Sequence, residues 1–478
     1  MLIQVGTLTS KLIAADREER AWLIDYLSFE DQKSRYMKGG PKTQSLFQNN
    51  NDRFPSGLLR MVEKAGIAEG YKVELVDTRK PATPPDSGAD LEWLFDYQRE
   101  AVDAIVKKHN GILWLPTGAG KTEVIVGLTR AIPCFWLALV HRSQLADDIA
   151  RRWEKRTPGL RAGRILEGDA DIPDDATLVA ATFQTIVSWL KKPVEDPMHE
   201  LAKHVLYKAE GLLVDETHTL PADSFYAVAM KTPNAYYRVG LSGTPLARGD
   251  KKSMLALAAL GPVVYRVKTQ LLIDRGILAR PTVRLATVTQ LSKKATWAGV
   301  YDDCIVRGRN RNDTLLSIAA RAAKPGFLFV QNIEHGKALT KSLINAGISA
   351  EFVWGSHSLV YRKSLMKRLV QGHFEVLVCS AVFQEGIDLP ELRSVIIGAG
   401  GKSVIAALQR LGRGMRIERD KQGKVVEGSE TFEVWDIDDR GNKWTEKHAR
   451  ERQRAYVGEG FKTYVESENA TLPLPLKG

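Results

Sequence analysis

The run Gly111-Ile112-Leu113-Trp114-Leu115, continued by Pro116-Thr117-Gly118-Ala119-Gly120-Lys121-Thr122 and a helix-forming stretch to Ala131, constrains this chain more than any other feature. An apolar stretch of strand length, a loop with two glycines and a helix start make the unit in which a phosphate chain is cradled. Gly118 and Gly120 let backbone N–H groups converge on phosphate oxygens, where the helix N-terminus adds the positive end of its dipole. Lys121 is spaced to reach the β- and γ-phosphates and the Thr122 hydroxyl to coordinate Mg²⁺, with Pro116, Thr117 and Ala119 completing the loop. The general pattern carries a glycine where Leu115 stands. Only the later glycines approach phosphate closely, so a nucleotide site is still expected.

A second segment, Gly211-Leu212-Leu213-Val214-Asp215-Glu216-Thr217-His218, places two adjacent carboxylates after an apolar strand. Ligands of open α/β sheets bind at that end of the strands. Asp215 is expected to hold Mg²⁺ through water, and Glu216 to orient and deprotonate the attacking water. Taken alone, the same residues also read as a helix start. A third segment, Gln409-Arg410-Leu411-Gly412-Arg413-Gly414-Met415-Arg416, spaces arginines three apart. It reads either as a surface patch or as the source of an arginine that stabilises γ-phosphate charge, an effect worth roughly 10³–10⁵ in rate.

Short apolar runs alternate with helical stretches from residue 91 onward: 111–115, 134–140, 177–181 and 211–214, then 327–330, 376–379 and 394–397. Continuous apolar strands separated by helices imply parallel sheets covered on both faces. The series occurs twice, so the expected fold class is α/β, with two tandem parallel-sheet lobes at 91–270 and 271–440. A small α+β domain is expected over 1–76 and a linker over 77–90, which is rich in proline. A helical tail is expected over 441–478. In the first domain Lys33, Arg35, Lys38 and Lys42 alternate with Tyr36 and Phe47, which suits a phosphate backbone or, equally, a solvated loop with tucked-in aromatics.

Lys and Arg number 68 against 57 Asp and Glu, a net charge of +11. Such a surplus favours a polyanionic partner, because phosphate neutralisation releases counterions. The 44% hydrophobic and 26% charged composition excludes a disordered or collagen-like chain. Cys134, Cys304 and Cys379 fit neither a disulfide framework nor a structural zinc site. The longest apolar run, 131–140, is about half a membrane span. A soluble, cytoplasmic monomer without a structural metal is expected.

The ordered set of segments resembles superfamily 2 helicases of the DExH type. Gly118–Thr122 stands as the first motif, 215–218 as the second, Ser242-Gly243-Thr244-Pro245 as the third, 379–388 as the fifth and 409–416 as the sixth. Phe95-Asp96-Tyr97-Gln98 is similar to the adenine-reading element, with Gln98 as the reader. The domain at 1–76 and the segment 436–456, with His448, Arg450, Arg452 and Arg454, resemble more narrowly the phage branch-migration helicases of the UvsW kind. The resemblance implies RecA-like lobes, ATP and Mg²⁺ as cofactors, and DNA, branched or single-stranded, as partner. It implies that Ser242, Gly243 and Thr244 couple ATP state to strand grip and that His218 links this segment to the metal. Arg413 and Arg416 are the finger residues it implies, with Gln409, Gly386 and Asp388 on the nucleotide side of the second lobe. His141, Arg142, Gln144, Thr182, Phe183 and Gln184 in the first lobe, and Gln331, Asn332 and Ser380 in the second, stand where such proteins touch nucleic acid. Hydroxyl and amide residues after strands are also common helix caps, and Trp444 with His448, at i,i+4, reads more readily as packing. The expected activity is ATP-driven remodelling of forks and junctions in DNA recombination and repair. An RNA helicase with the same motor is one alternative. An ATP-gated, duplex-binding subunit without strand separation, such as the motor arm of a restriction system, is another.

Overall fold

The structure, a computed structural model, describes residues 1–31, 42–79, 83–217, 223–243, 253–380, 391–401, 417–418, 420, 422, 424–458, 460–467 and 470–473. Lys33, Arg35, Tyr36, Lys38, His218, Thr244, Gly386, Asp388, Gln409, Arg413 and Arg416 lie outside the described residues. Two compact units divide the chain: Met1–Leu115 with Ala119–Val267, and Pro116–Gly118 with Lys268–Gly478.

The first unit begins with β1 (Leu2–Val5), β2 (Thr9–Ala14), β3 (Ser28–Asp31), β4 (Lys42–Ser45), β5 (Arg53–Pro55) and β6 (Glu74–Asp77). Four of these form a sheet in the order β5-β2-β1-β6, and β3 pairs with β4 inside the stretch expected as loop. Alternation along β1 and β2 turns Ile3, Val5 and Leu12 inward. The helix Arg17–Tyr26 starts at a capping box, Asp16 accepting from the Glu19 amide at 2.8 Å and Glu19 from the Asp16 amide at 3.1 Å. Its Leu23 packs with Phe47, Phe54, Leu58 and Val62, and this core also takes in Ala258 from the helix Ser253–Leu260. Phe47 is therefore a core ring rather than a surface aromatic. The domain is seated directly on the following α/β lobe. At Gly57 a Cβ would lie 2.3 Å from the Leu257 carbonyl oxygen and 2.4 Å from that of Ala258, so only glycine allows the approach. Residues 83–90, expected within a linker, are strapped to the same lobe. Thr83 Oγ1 donates to Glu210 at 2.8 Å, Tyr237 Oη donates to the Thr83 carbonyl at 2.9 Å, and the Asp86 amide donates to the Ala131 carbonyl at 2.8 Å.

That lobe is built on β7 (Asn110–Trp114), β8 (Trp136–Val140), β9 (Gly163–Leu166), β10 (Asp169–Asp171), β11 (Leu178–Thr182), β12 (Gly211–Asp215), β13 (Tyr237–Ser242) and β14 (Val263–Arg266). Their order is β10-β9-β11-β8-β12-β13-β7-β14, parallel except at the β10 edge. Residues of β8, β11, β12 and β13 are buried throughout, as a sheet covered on both faces requires.

The second unit carries β15 (Arg280–Thr289), β16 (Gly326–Phe329), β17 (Ala350–Val353), β18 (Val376–Cys379), β19 (Ser394–Ile397), β20 (Thr431–Arg440), β21 (Lys462–Ser467) and β22 (Ala470–Pro473), in the order β17-β18-β16-β19-β20-β15-β21-β22. The tail expected as helical is a helix, Lys443–Gly458, followed by two strands. β21 pairs in parallel with β15, so the end of the chain extends the sheet. Nor is the tail a uniformly basic surface. Arg452 is fully buried, 2.8 Å from Asp436 and 3.5 Å from Asp439, and Tyr456 Oη donates to Asp436 at 2.8 Å. His448 is buried edge-on to Trp297, with ring centroids 4.3 Å apart, while Arg450 faces solvent beside Glu446. No helix among the described residues is long and apolar enough to cross a membrane.

Candidate nucleotide site and nucleic-acid edge

The loop after β7 turns through two left-handed glycines, Gly118 at φ +87° and Gly120 at +75°, into the helix Lys121–Ala131. Gly120 occupies the N-cap and offers no side chain to the first-turn amides, so an anion is their natural acceptor. A Cβ at Gly120 would meet Gln98 Nε2 at 2.4 Å. Gln98 is buried at the start of the helix Asp96–Lys108. Its Nε2 donates to the Ala119 carbonyl at 2.8 Å and its Oε1 accepts from the Phe95 amide at 3.0 Å. Tyr97 Oη donates to the same Ala119 oxygen at 3.2 Å. The glutamine expected to read adenine thus buttresses the loop from behind, and Tyr97 is a second buttress that the motif reading did not single out.

Two strands away, β12 ends at Asp215, which is buried and accepts the Glu216 amide at 2.9 Å. Glu216 itself turns at φ +53°, a left-handed conformation that is costly for a side chain of its size. That turn brings its carboxylate to the loop. Lys121 Nζ lies 2.6 Å from Glu216 Oε1, with both side chains largely screened from solvent. The hydroxyl of Thr122 and the carboxylate of Asp215 are hard oxygen donors of the kind Mg²⁺ prefers, and at the left-handed Gly118 and Gly120 no Cβ stands in the way of a phosphate. The residues present fit a magnesium nucleotide.

Thr217, next in the chain, is fully buried and faces the carbonyls of Leu241 at 3.1 Å and Val214 at 3.4 Å. It bridges β12 to β13, whose last residue is the buried Ser242. Gly240 makes room for it, since a Cβ there would lie 2.7 Å from Thr217 Oγ1. The sequence signal for this bridge was present in the threonine within the Asp-Glu-Thr-His run.

Of the first-lobe residues expected at nucleic acid, Arg142, Gln144 and Gln184 are exposed and His141 partly so. Parallel pairing of β8 and β11 puts Val140 opposite Thr182, which gathers these residues at one sheet edge, and Gln184 Nε2 donates to the His141 carbonyl at 2.9 Å. Thr182 and Phe183 do not join them. Thr182 is 4% exposed, its hydroxyl bonded to Thr185 Oγ1 at 2.8 Å, and the Phe183 ring stacks on Phe225 with centroids 4.2 Å apart. Thr182 is the N-cap of the helix Phe183–Trp189, whose first residue is the half-buried Phe183.

In the second unit Gln331 and Asn332 are exposed at the end of β16, with Asn332 Oδ1 capping the helix Ile333–Asn345 through the His335 amide at 2.9 Å. Ser380 is buried beside them. The Val330 amide donates to Cys379 and the Ser380 amide to Val353, at 3.0 and 3.1 Å.

Residues 92–247 match the family described as the res subunit of type III restriction enzymes, and residues 311–418 match the helicase conserved C-terminal domain. Across an alignment 518 positions long the chain is 24% identical to the ATP-dependent DNA helicase UvsW of enterobacteria phage T4, covering 96% of this chain and 97% of that protein. A DNA 3'-5' translocase, XPB2, of Sulfurisphaera tokodaii is 27% identical over 375 residues, covering 70% of this chain and 81% of that one. Other curated relatives are longer: the matched region spans 43% of a putative helicase of a Sulfolobus islandicus filamentous virus. Among solved structures, the type ISP restriction-modification enzyme LlaBIII bound to DNA superposes with a TM-score of 0.55 at 16% identity, over 83% of this chain and 32% of that one. It shares the fold.

Proposed function

We propose that this chain, which carries both domains of a superfamily 2 helicase, is an ATP-driven DNA translocase that remodels branched duplexes. The observation that carries this reading is the meeting of the Lys121 ammonium and the Glu216 carboxylate, 2.6 Å apart, beside a glycine loop built for phosphate. The names of the phage and archaeal relatives support DNA as the track and a 3'→5' direction of travel.

In this reading Lys121 neutralises the terminal phosphates and the loop amides orient them for in-line attack. Glu216 positions water and takes its proton, a contribution of about 10²–10⁴ in rate. Mg²⁺, held by Thr122 and through water by Asp215, would supply further neutralisation of charge on the phosphates. Gln98 holds the loop and reads adenine. From the second lobe Arg413 and Arg416 serve as finger residues, with Gln409, Gly386 and Asp388 on the nucleotide side. His218, Ser242, Gly243 and Thr244 transmit the state of the site. His141, Arg142, Gln144, Gln184, Gln331, Asn332 and Ser380 touch the strand, chiefly at phosphates, so stepping is independent of base sequence. Lys33, Arg35 and Lys38 of the first domain add affinity for branch points. The setting proposed is the cytosol of a phage host, with the chain acting as a monomer.

ATPase rates with duplex DNA, four-way DNA junctions and single-stranded RNA at fixed salt, for the parent, Lys121→Ala and Glu216→Gln, test this. Junction DNA should stimulate the parent most, and both variants should be inactive. Turnover at the parent rate in either variant refutes the site. Stimulation by RNA alone changes the track, and hydrolysis without a displaced strand points to translocation without unwinding.

A further inference from the structure

β7 runs between β13, which ends in the Ser242–Gly243 segment, and β14, the last strand before the chain passes from the first unit to the second at Val267–Lys268. Trp114 stands at the end of β7, and all three strands meet on it. Its backbone is in register with Ser242 on one side and with Arg266 on the other. The Val267 amide donates to the Trp114 carbonyl at 3.0 Å, and the Leu115 amide donates to the Ser242 carbonyl at 3.0 Å. Beyond the point where the strand ladder ends, the side chain continues it. Trp114 Nε1 donates to the Gly243 carbonyl at 2.8 Å, and the Arg266 guanidinium lies 3.9 Å from the centroid of the indole ring.

Packing does not account for a tryptophan here. Ile112 and Leu113 just before it are buried aliphatics, whereas this ring is only partly buried. A valine or isoleucine would end the strand as well. An indole both donates to a carbonyl through its edge and holds a cation on its face, which no aliphatic side chain does.

We infer that Trp114 is a positioning residue that ties the Ser242–Gly243 segment to the Arg266–Val267 exit strand, so that a shift at one is felt at the other. It deepens the proposed motor and rests on that reading. Displacement of the Gly243 carbonyl breaks or pulls the indole hydrogen bond. The ring, tethered to Arg266, passes that change to the strand from which the chain leaves the lobe. Trp114 touches no reacting atom in this scheme; it sets how strongly nucleic-acid binding and hydrolysis are linked.

The test compares basal and DNA-stimulated ATPase for the full chain, Trp114→Phe, which keeps a ring but has no N–H, and Arg266→Gln, an exposed position whose change spares the fold. Thermal melting and equilibrium DNA binding are recorded for each. The inference expects the stimulated kcat to fall at least tenfold in Trp114→Phe and severalfold in Arg266→Gln. Basal kcat, KM for ATP and DNA affinity should stay within twofold. Unchanged stimulation in Arg266→Gln together with a folded, fully stimulated Trp114→Phe overturns it, as does a proportional fall in basal and stimulated rates, which would make the indole a support of the phosphate loop alone. A parent that no nucleic acid stimulates removes both this inference and the motor; a stimulated parent with indifferent variants removes only the inference.

Discussion

The Lys121 ammonium lies 2.6 Å from a Glu216 carboxylate oxygen, so the cation meant for phosphate is already neutralised by the residue meant for water. In the proposed motor a nucleotide takes Lys121 from Glu216, and that exchange frees the carboxylate for its proposed work on water. Glu216→Gln should therefore lower turnover by about 10²–10⁴ while binding ATP at least as tightly as the parent. Lys121→Ala should lose both. Equilibrium nucleotide titration beside steady-state ATPase separates the two, and a Glu216→Gln protein that binds as poorly as Lys121→Ala would contradict the exchange.

Gly120 is held by two independent constraints, its φ of +75° and the 2.4 Å approach of Gln98 Nε2 to any Cβ. Gly120→Ala should reduce ATPase at least tenfold with little change in melting temperature, because the strain falls on the loop and not on the core. In Gly120→Ala/Gln98→Ala the clash is gone, but the left-handed backbone still costs about 1 kcal/mol or more. Activity should recover only in part. Full recovery would mean that the contact alone, and not the backbone, demands glycine.

Apolar runs such as 111–115 and 211–214 are plain in the sequence because a doubly covered parallel strand needs little else. β13 is not among them, although it carries Ser242. Arg238 and Gly240 interrupt its apolar pattern, and each has a reason only the fold supplies. The buried Arg238 guanidinium donates to the carbonyls of Ala229 and Ala259 at 2.6 Å each, near the ends of two helices. Burial pulls its pKa down to about 10. Gly240 clears space for Thr217. Thr182 failed as a surface contact for a related reason: a hydroxyl after a strand serves a ligand or a helix start, and only the closing helix decides. The tail misled through composition, since Arg452 counts as basic in the sequence but faces two aspartates inside the protein.

Arg452 and Asp436, 2.8 Å apart and both buried, fasten the helix Lys443–Gly458 to β20. Removing one partner strands the other in a medium that solvates charge poorly. Arg452→Ala should cost about 3–5 kcal/mol, read from chemical denaturation. The double variant Arg452→Met/Asp436→Asn should be less damaging than the single one, because no buried charge is orphaned. Equal losses would argue that the helix is held by its apolar contacts and not by the pair.

His335 is buried, with Nε2 2.9 Å from Asn312 Oδ1, and lies close to the Arg311 cation. Burial and, second, that cation depress its pKa to about 3. The neutral ring is therefore the folded form, and its contribution to stability is complete above about pH 6.5, the unfolded value. As pH falls toward 3 the unfolded chain takes up a proton that the folded chain refuses, removing about 1.4 kcal/mol per pH unit. Urea midpoints between pH 6.5 and 4.5 should fall more steeply for the parent than for His335→Gln. Parallel slopes would show that the histidine does not report the acid sensitivity.

Arg142 is exposed at the sheet edge where Thr182 is buried, although Thr182, closing an apolar strand, is the stronger nucleic-acid contact by sequence. Their substitutions should part company in a salt titration. If Arg142 neutralises a phosphate, Arg142→Ala lowers DNA affinity at low salt and reduces the log–log salt slope by about 1. Thr182→Ala should leave the slope unchanged and lower the melting temperature, because it strips Thr185 of a buried hydroxyl partner at a cost of about 1 kcal/mol. A slope that changes with Thr182→Ala and not with Arg142→Ala would place the strand elsewhere on the lobe.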